Sequence, residues 1–310
     1  MEQPVVTVRL TPTDRLGQTG ASDSMTTFRR SALFTPADDR EMMRKAAESQ
    51  ADALIFDLED AVPADRLLDA RENLSHVVPD VGDDIEVGIR INGVDTGQWL
   101  DDLTAAVRAG VDAVLVPKVE SPSELSAVVD TLAVSADSPP IVRFAIETPS
   151  GLLEAASIGA RAASLSLVTG ISFGLADYCR SLGAPGPTES VRERLAFKIS
   201  SVAAAHGLRA FASTHLDIDD EAGLRRAGMS SRDLGFDGMS AIHPAQIPVI
   251  NDVFTPDVDA VRRARRLVKA YEAADSDSIR IEGEFLDEAT VAHHRTLIDR
   301  YEAVHHDDES

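Results

Sequence analysis

Short apolar, β-branched runs alternate with longer amphipathic stretches along this chain, and that alternation restricts the fold more than any other feature. Residues 53–58 (ALIFDL) follow a helical pattern over 40–49. Residues 85–91 (IEVGIRI) precede a helix-like 98–109, and 113–117 (AVLVP) precede 123–132. Runs at 141–146, 164–169 and 208–212 continue the series, which closes on FDGMSAIHP near 236–244. Short strands spaced by helices are the mark of βαβ units and a parallel sheet. With an opening strand at 32–34 there are about eight such units, which favours an α/β chain closed as a (β/α)8 TIM barrel over an open doubly wound sheet. No glycine-rich dinucleotide fingerprint follows the first strand and no phosphate-binding P-loop occurs, so two nucleotide-binding readings fall away.

The expected organisation has three parts. Residues 1–27, polar and rich in Thr, Ser and Gly, read as a flexible N-terminal extension. Residues 28–250 form the catalytic barrel. Residues 251–310 form a C-terminal extension with helices at 258–273 and 288–305 flanking IRIEGEFLD, free to pack on the barrel or on a neighbouring subunit. The chain closes on a polar, acidic run from residue 305.

Composition excludes several classes. The formal charge of -22 argues against nucleic acid as a partner, since phosphate neutralisation needs basic surface. Lys45, Lys118, Lys198 and Lys269 are the only lysines among abundant Asp and Glu, a composition suited to a salt-rich, halophilic cytoplasm. A single cysteine, Cys179, leaves no disulfide framework and no cysteine-based zinc site, in keeping with a reducing cytoplasm. No apolar run approaches the ~18 residues of a membrane helix, so no membrane partner is expected and the localisation is read as cytoplasmic.

Chemistry is expected where strands end, because barrel enzymes build their sites at the C-terminal face. ALIFDL ends in Asp57, Glu59 and Asp60; IEVGIRI carries Arg90 and then Asn92. AVLVP leads to Lys118 and Glu120, IVRFAI to Glu147, and the 164–169 unit to Asp177. One such residue is ordinarily a salt bridge or helix cap, but capping alone does not explain charged groups at five successive strand ends. Carboxylates of this kind suit Mg²⁺, with Mn²⁺ as a substitute, because a hard cation takes oxygen ligands and keeps water. Glu147 and Asp177 are the leading metal ligands. His215 and His243 lack zinc-ligand spacing. A cation held there would bind a 2-oxo acid as a Lewis acid, and Arg90 would neutralise an enolate oxygen formed as a carbon–carbon bond breaks.

The same segments resemble the citrate lyase β-subunit-like branch of the HpcH/HpaI aldolase superfamily, near the malyl-CoA and β-methylmalyl-CoA lyases. RSALFTP at 30–36, DLEDAV at 57–62, RING at 90–93, PKVE at 117–120, IET at 146–148, FGLADY at 173–178, and GFDG at 235–238 with AIHPAQI at 241–247 occur in the family's order. Each is short; seven in order are specific. The resemblance implies a barrel assembled as a homotrimer or hexamer, with C-terminal helices on a neighbouring subunit. It implies Mg²⁺ on Glu147 and Asp177, and cleavage or formation of a 3-hydroxyacyl-CoA such as malyl-CoA, β-methylmalyl-CoA or citramalyl-CoA, with glyoxylate or pyruvate as the oxo acid. Arg90, Glu59, Asp60 and Asp287 become the catalytic candidates. Asp287, in GEFLD, would reach into the adjacent subunit's site, or serve as an N-cap for the final helix. Arg30, Arg40, Lys45 and Lys118 become the cations that receive substrate and coenzyme A. A citrate lyase β-subunit acting on an acyl-carrier-protein thioester, a free-acid pyruvate aldolase and a non-catalytic paralogue are the alternatives. Three departures stand out: Ala176 where the family commonly has Glu, Met239 where Lys is common, and a few extra residues between Glu147 and Asp177, near 165–172, that would displace Asp177.

Overall fold

The computed structural model describes residues 29–274 and 276–305; the expectations for residues 1–27 and for the end of the acidic tail, residues 306–310, lie outside them. The chain divides into two compact units at Asn251/Asp252.

In the first unit, eight parallel strands close into a barrel in sequence order: β1 (Ser31–Pro36), β2 (Ala53–Asp57), β3 (Glu86–Arg90), β4 (Ala113–Val116), β5 (Ile141–Ile146), β6 (Val168–Phe173), β7 (Arg209–Ala212) and β8 (Gly238–Ala241), with β8 pairing back onto β1. Helices alternate with them: α1 (Arg40–Ala47), α2 (Leu67–Val77), α3 (Trp99–Ala109), α4 (Pro122–Ser135), α5 (Pro149–Ala162), α6 (Leu175–Leu182), α7 (Glu189–His206) and α8 (Glu221–Asp233). Helix α9 (Ile247–Phe254) straddles the division. Strands covered on both faces favour near-continuous apolar runs, which is why residues 53–56 of β2 are all apolar and buried rather than alternating in polarity.

The period of two decides which residues enter the barrel. Ala32, Ala53, Ile55 and Phe211 pack together inside it, with Phe34 and Leu115 against them. One pleat further up β2, the inward position after Ile55 is Asp57. The same count along β3 leads from Gly88 to Arg90, and along β5 from Arg143 through Ala145 to Glu147. Lower in the barrel, Arg143 forks onto Glu86 at 2.5 and 2.9 Å and lies over Phe211 at 5.6 Å. The interior is therefore closed by an ion pair near the strand starts, filled by apolar side chains above it, and polar at the mouth.

The sixth strand lies later in sequence than expected, at Val168–Phe173 rather than 164–169. A turn after α5 leads into it, and its pairing with β5 shifts register between Val142↔Val168 and Arg143↔Gly170. A bulge of this kind takes up one residue locally, and the strand end leads into α6, whose first turn lines the mouth.

The second unit holds helix α10 (Val258–Glu272), a two-stranded hairpin of β9 (Ile279–Ile281) and β10 (Glu284–Leu286), and helix α11 (Glu288–His305). Glu282 and Gly283 both have positive φ, 48° and 82°, the geometry of a tight two-residue hairpin turn. Leu267, Leu286 and Val291 form its small core.

Candidate active site

A cavity of about 410 Å³ opens at the C-terminal ends of the strands, and its walls carry Phe34, Asp57, Asp60, Arg90, Glu147, Gly174, Ala176, Asp177 and Ser213. Asp57, at the end of β2, anchors the polar part. Its carboxylate accepts from the backbone N–H of Glu59 and of Ala61, each at 3.1 Å, which folds the DLEDA loop around it. Arg90 then donates two parallel bonds to Asp57, Nε at 2.7 Å and Nη2 at 2.6 Å. Such a fork fixes the guanidinium plane as well as its charge. Phe34 stacks beneath it, 5.2 Å from ring centroid to Cζ. Burial alone would lower the Arg90 pKa, but the bonds and charge of Asp57 outweigh it and hold the side chain cationic.

Arg90 also presents Nη1 to Glu59 Oε2 at 3.2 Å, a charge contact not aligned as a hydrogen bond. The other Glu59 oxygen accepts from Lys118 Nζ at 2.5 Å. Burial pushes the Glu59 carboxyl up, and Arg90 and Lys118 only partly offset it. Asn92 completes the frame: its side-chain amide donates to the Leu58 carbonyl and to Asp102, both at 2.9 Å, so this residue holds the β2 and β3 ends together.

Glu147 stands at the end of β5, 4% exposed, with Oε2 lacking any hydrogen-bond partner. Thr148 caps α5 by accepting from Gly151 N at 3.1 Å and Pro149 opens the helix, so the IETP segment turns sharply and leaves Glu147 facing the mouth. Across from it, Gly174 makes room: a Cβ there would lie 2.7 Å from Glu147 Cγ and Cδ and 2.8 Å from Oε2. Burial pushes the Glu147 carboxyl up to about 8; Arg90 pulls it down, and the negative charges of Glu59 and Asp177 push it further up. A buried carboxylate oxygen without a donor, next to a second carboxylate, is the unsatisfied arrangement that a hard divalent cation relieves. The residues present therefore fit Mg²⁺.

Asp177 lies in the first turn of α6, 9% exposed, and lines the same cavity. It pairs with Arg180 one helical turn on and lies 3.9 Å from Lys118 Nζ. Glu147 and Asp177 line one cavity, and Ala176 contributes an apolar part of its wall. No cluster of three or more His, Cys, Asp or Glu set for a metal occurs among the described residues. A two-carboxylate Mg²⁺ site differs from such a cluster, since Mg²⁺ keeps several waters and leaves positions for substrate oxygens.

The remaining expected residues fall elsewhere. Arg40 opens α1 on the mouth side, with Nε donating to Asn73 at 2.5 Å, and Lys45 pairs with Glu41 on the exposed face of the same helix. Arg30 precedes β1 at the barrel's opposite end, where it forks onto Asp52 at 2.7 and 2.9 Å, so the fold does not bring it to the cavity. In the second unit Asp287 caps α11, accepting from Thr290 N at 2.9 Å and Oγ1 at 2.8 Å; these bonds hold its carboxyl below the usual range. Asp57 was named from sequence among the charged strand ends but given no role, and Gly174 was not singled out. The signal for Asp57 was its inward register with Ile55; for Gly174 there was only its position between a strand and a helix.

Residues 30–244 match the family model described as HpcH/HpaI aldolase/citrate lyase. The chain is 36% identical over 250 residues to a (3S)-malyl-CoA thioesterase of Cereibacter sphaeroides, covering 79% of this chain and 84% of that one. It is 31% identical over 290 residues to the citrate lyase β subunit of Escherichia coli, covering 89% and 94%. Among solved structures it resembles the protein CitE of Mycobacterium tuberculosis in complex with magnesium, acetoacetate and coenzyme A, with a TM-score of 0.72 and 29% identity over 88% of this chain and 98% of that one. No helix among the described residues is long and apolar enough to cross a membrane.

Proposed function

The chain belongs to the HpcH/HpaI aldolase/citrate lyase family, and from that premise we propose that it is a Mg²⁺-dependent carbon–carbon lyase. Its substrate on this reading is a 3-hydroxyacyl-CoA such as malyl-CoA, β-methylmalyl-CoA or citramalyl-CoA, cleaved to an acyl-CoA and glyoxylate or pyruvate, or formed from them. One observation carries the reading: Glu147, buried with an unpartnered oxygen, shares a cavity with Asp177 and with an Arg90 locked in place by Asp57. The magnesium and coenzyme A of the Mycobacterium tuberculosis neighbour support it.

Glu147 and Asp177 hold the cation, which when bound supplies Lewis-acid polarisation of the oxo acid's oxygens. In the cleavage direction the 3-hydroxyl gives up its proton to a carboxylate, with Asp60 at the cavity wall and Glu59 behind it as the acceptors. The electron pair of the breaking C2–C3 bond passes onto the thioester as an enolate, and Arg90 neutralises the enolate oxygen. A fixed guanidinium is effective here because it needs no reorganisation as charge develops. Asp287 of a neighbouring subunit exchanges the proton at C2: ionised, it takes that proton from the acyl-CoA in the condensing direction, and in cleavage it passes a proton drawn from solvent back to C2, which makes the homotrimer or hexamer part of the site. Arg40, where α1 leaves the mouth, and Lys45, on the exposed face of the same helix, receive the coenzyme A phosphates against the strongly negative overall field.

The identity to a (3S)-malyl-CoA thioesterase favours one second reading, in which water attacks the thioester and C2–C3 stays intact. One experiment separates the two. Purified protein with Mg²⁺ and malyl-CoA yields acetyl-CoA and glyoxylate by mass spectrometry if it is a lyase, and malate with free coenzyme A if it is a thioesterase. EDTA and Glu147→Gln abolish the lyase products. Absence of any condensed product from glyoxylate or pyruvate with acetyl- or propionyl-CoA, alongside turnover of a free hydroxy-oxo acid, would assign the chain to the free-acid aldolases instead.

A further inference from the structure

Lys118 follows β4 and Pro117 with φ of 50°, a left-handed backbone that a lysine rarely adopts. Its neighbours hold it there. Val119 N donates to the Ala145 carbonyl at 3.1 Å, and α5 presses so closely on the turn that a Cβ at Gly151 would stand 2.4 Å from Val119 O. Strain kept in place by its surroundings at the edge of a cavity points to a side chain that must aim in one direction.

That direction is inward. The ammonium lies 2.5 Å from Glu59 Oε1, 3.4 Å from Asp60 Oδ1 and 3.9 Å from Asp177 Oδ1, with the side chain 27% exposed. Two consequences follow. Glu59 is held between Lys118 and Arg90, so Lys118 acts on Arg90 through it. Lys118 also places a permanent positive charge beside Asp177, where it opposes any divalent ion sharing that carboxylate.

We propose that Lys118 is a positioning residue: an internal counter-cation that braces Glu59 against Arg90 and weakens divalent-ion binding at Glu147 and Asp177, rather than a contact for coenzyme A. The inference rests on the Mg²⁺ lyase reading above. Mg²⁺ binding by the wild-type protein, measured calorimetrically at pH 8.5, tests that reading first; no binding there sinks the reading itself. Given binding, Lys118→Met tightens the Mg²⁺ Kd about tenfold, the Coulomb factor for a unit and a divalent charge roughly 6 Å apart in a water-like dielectric. The same variant loses most of its kcat, keeps its KM for the thioester, and Lys118→Arg restores both quantities toward wild type. A folded Lys118→Met protein with unchanged or weaker Mg²⁺ binding overturns the proposal. So does a raised thioester KM with kcat intact, which would return Lys118 to the coenzyme A contacts. Lys118→Gln carries the same expectations should the methionine variant not fold.

Discussion

Mg²⁺ binding to this protein is expected to release a proton, and the Glu147 environment sets how many and over what pH. Burial raises that carboxyl to about 8 in the cation-free site, whereas the cation requires the ionised form. At pH 7 about nine in ten molecules carry the proton, so each Mg²⁺ bound displaces about 0.9 of one. Between pH 6 and pH 9 the apparent affinity then rises about 90-fold, where a carboxyl of ordinary pKa gives almost no change over that range. Calorimetry in two buffers of different ionisation enthalpy at pH 7 counts the protons directly, and repeating the titration across pH traces the curve. The sign for stability follows from the same raised value. The neutral acid is favoured in the folded, cation-free protein, so its stabilisation is full below about pH 4.5 and is lost as pH rises through about 8. The total is on the order of 4–5 kcal/mol, and saturating Mg²⁺ offsets that loss at high pH. Glu147→Gln removes both the proton release and the slope. PH-independent Mg²⁺ binding with no proton released would refute the assignment of Glu147 as a buried ligand.

Three further perturbations address separate parts of the site. Gly174→Ala sets a methyl 2.7 Å from Glu147 Cγ and Cδ; it should destabilise by about 1–3 kcal/mol and weaken Mg²⁺ about 10²-fold, and wild-type melting and binding would show that the gap is not needed. Asp57→Asn breaks the fork on Arg90; kcat should fall about 10²–10³-fold with Mg²⁺ affinity little changed, so an unaltered kcat argues against a role for Arg90 in charge stabilisation. Asp287→Asn preserves the cap on the last helix, since Asn caps about as well as Asp, yet should lower kcat about 10²–10⁴-fold. Unchanged turnover with an unchanged Tm means the residue is a cap alone.

The barrel was legible because its determinants are local. Apolar strands of a fixed length, Gly and Pro at the turns, and caps such as Thr148–Pro149 and Ser121–Pro122 recur along the chain and need no knowledge of distant partners. Strand placement failed where the pattern was weakest: the apolar residues before β6 belong to the turn and the bulge, because pairing with β5 outranks local hydrophobicity. The motifs were easier to see than to interpret. In AIHPAQI, Gln246 accepts from Ile242 N at 2.9 Å and donates to the His215 carbonyl at 2.8 Å, and His243 caps the following turn, so the segment secures loops. In GFDG, Gly238 lies against the Arg29 and Arg30 carbonyls and Asp237 accepts from Ala210 N, at the end of the barrel away from the cavity.

The sequence by itself determined the parallel barrel, the charged strand ends and the acidic composition, because periodicity, capping and charge are properties of neighbours in the chain. Only the tertiary structure decided what those charges do. Arg30 and Arg90 are both arginines at strand edges, yet β1 runs Arg30 to the far end while β3 delivers Arg90 to the mouth and onto Asp57. Lys118 has the charge expected of a phosphate contact, but a left-handed turn aims it at three carboxylates. Glu147 owes its raised pKa to burial and to the negative charges of Glu59, just past β2, and Asp177, on α6, against the downward pull of Arg90 on β3. Such interactions fall off over a few ångströms in space and are independent of separation along the chain, which is why strand order and register, set only when the barrel closes, assign each group its role.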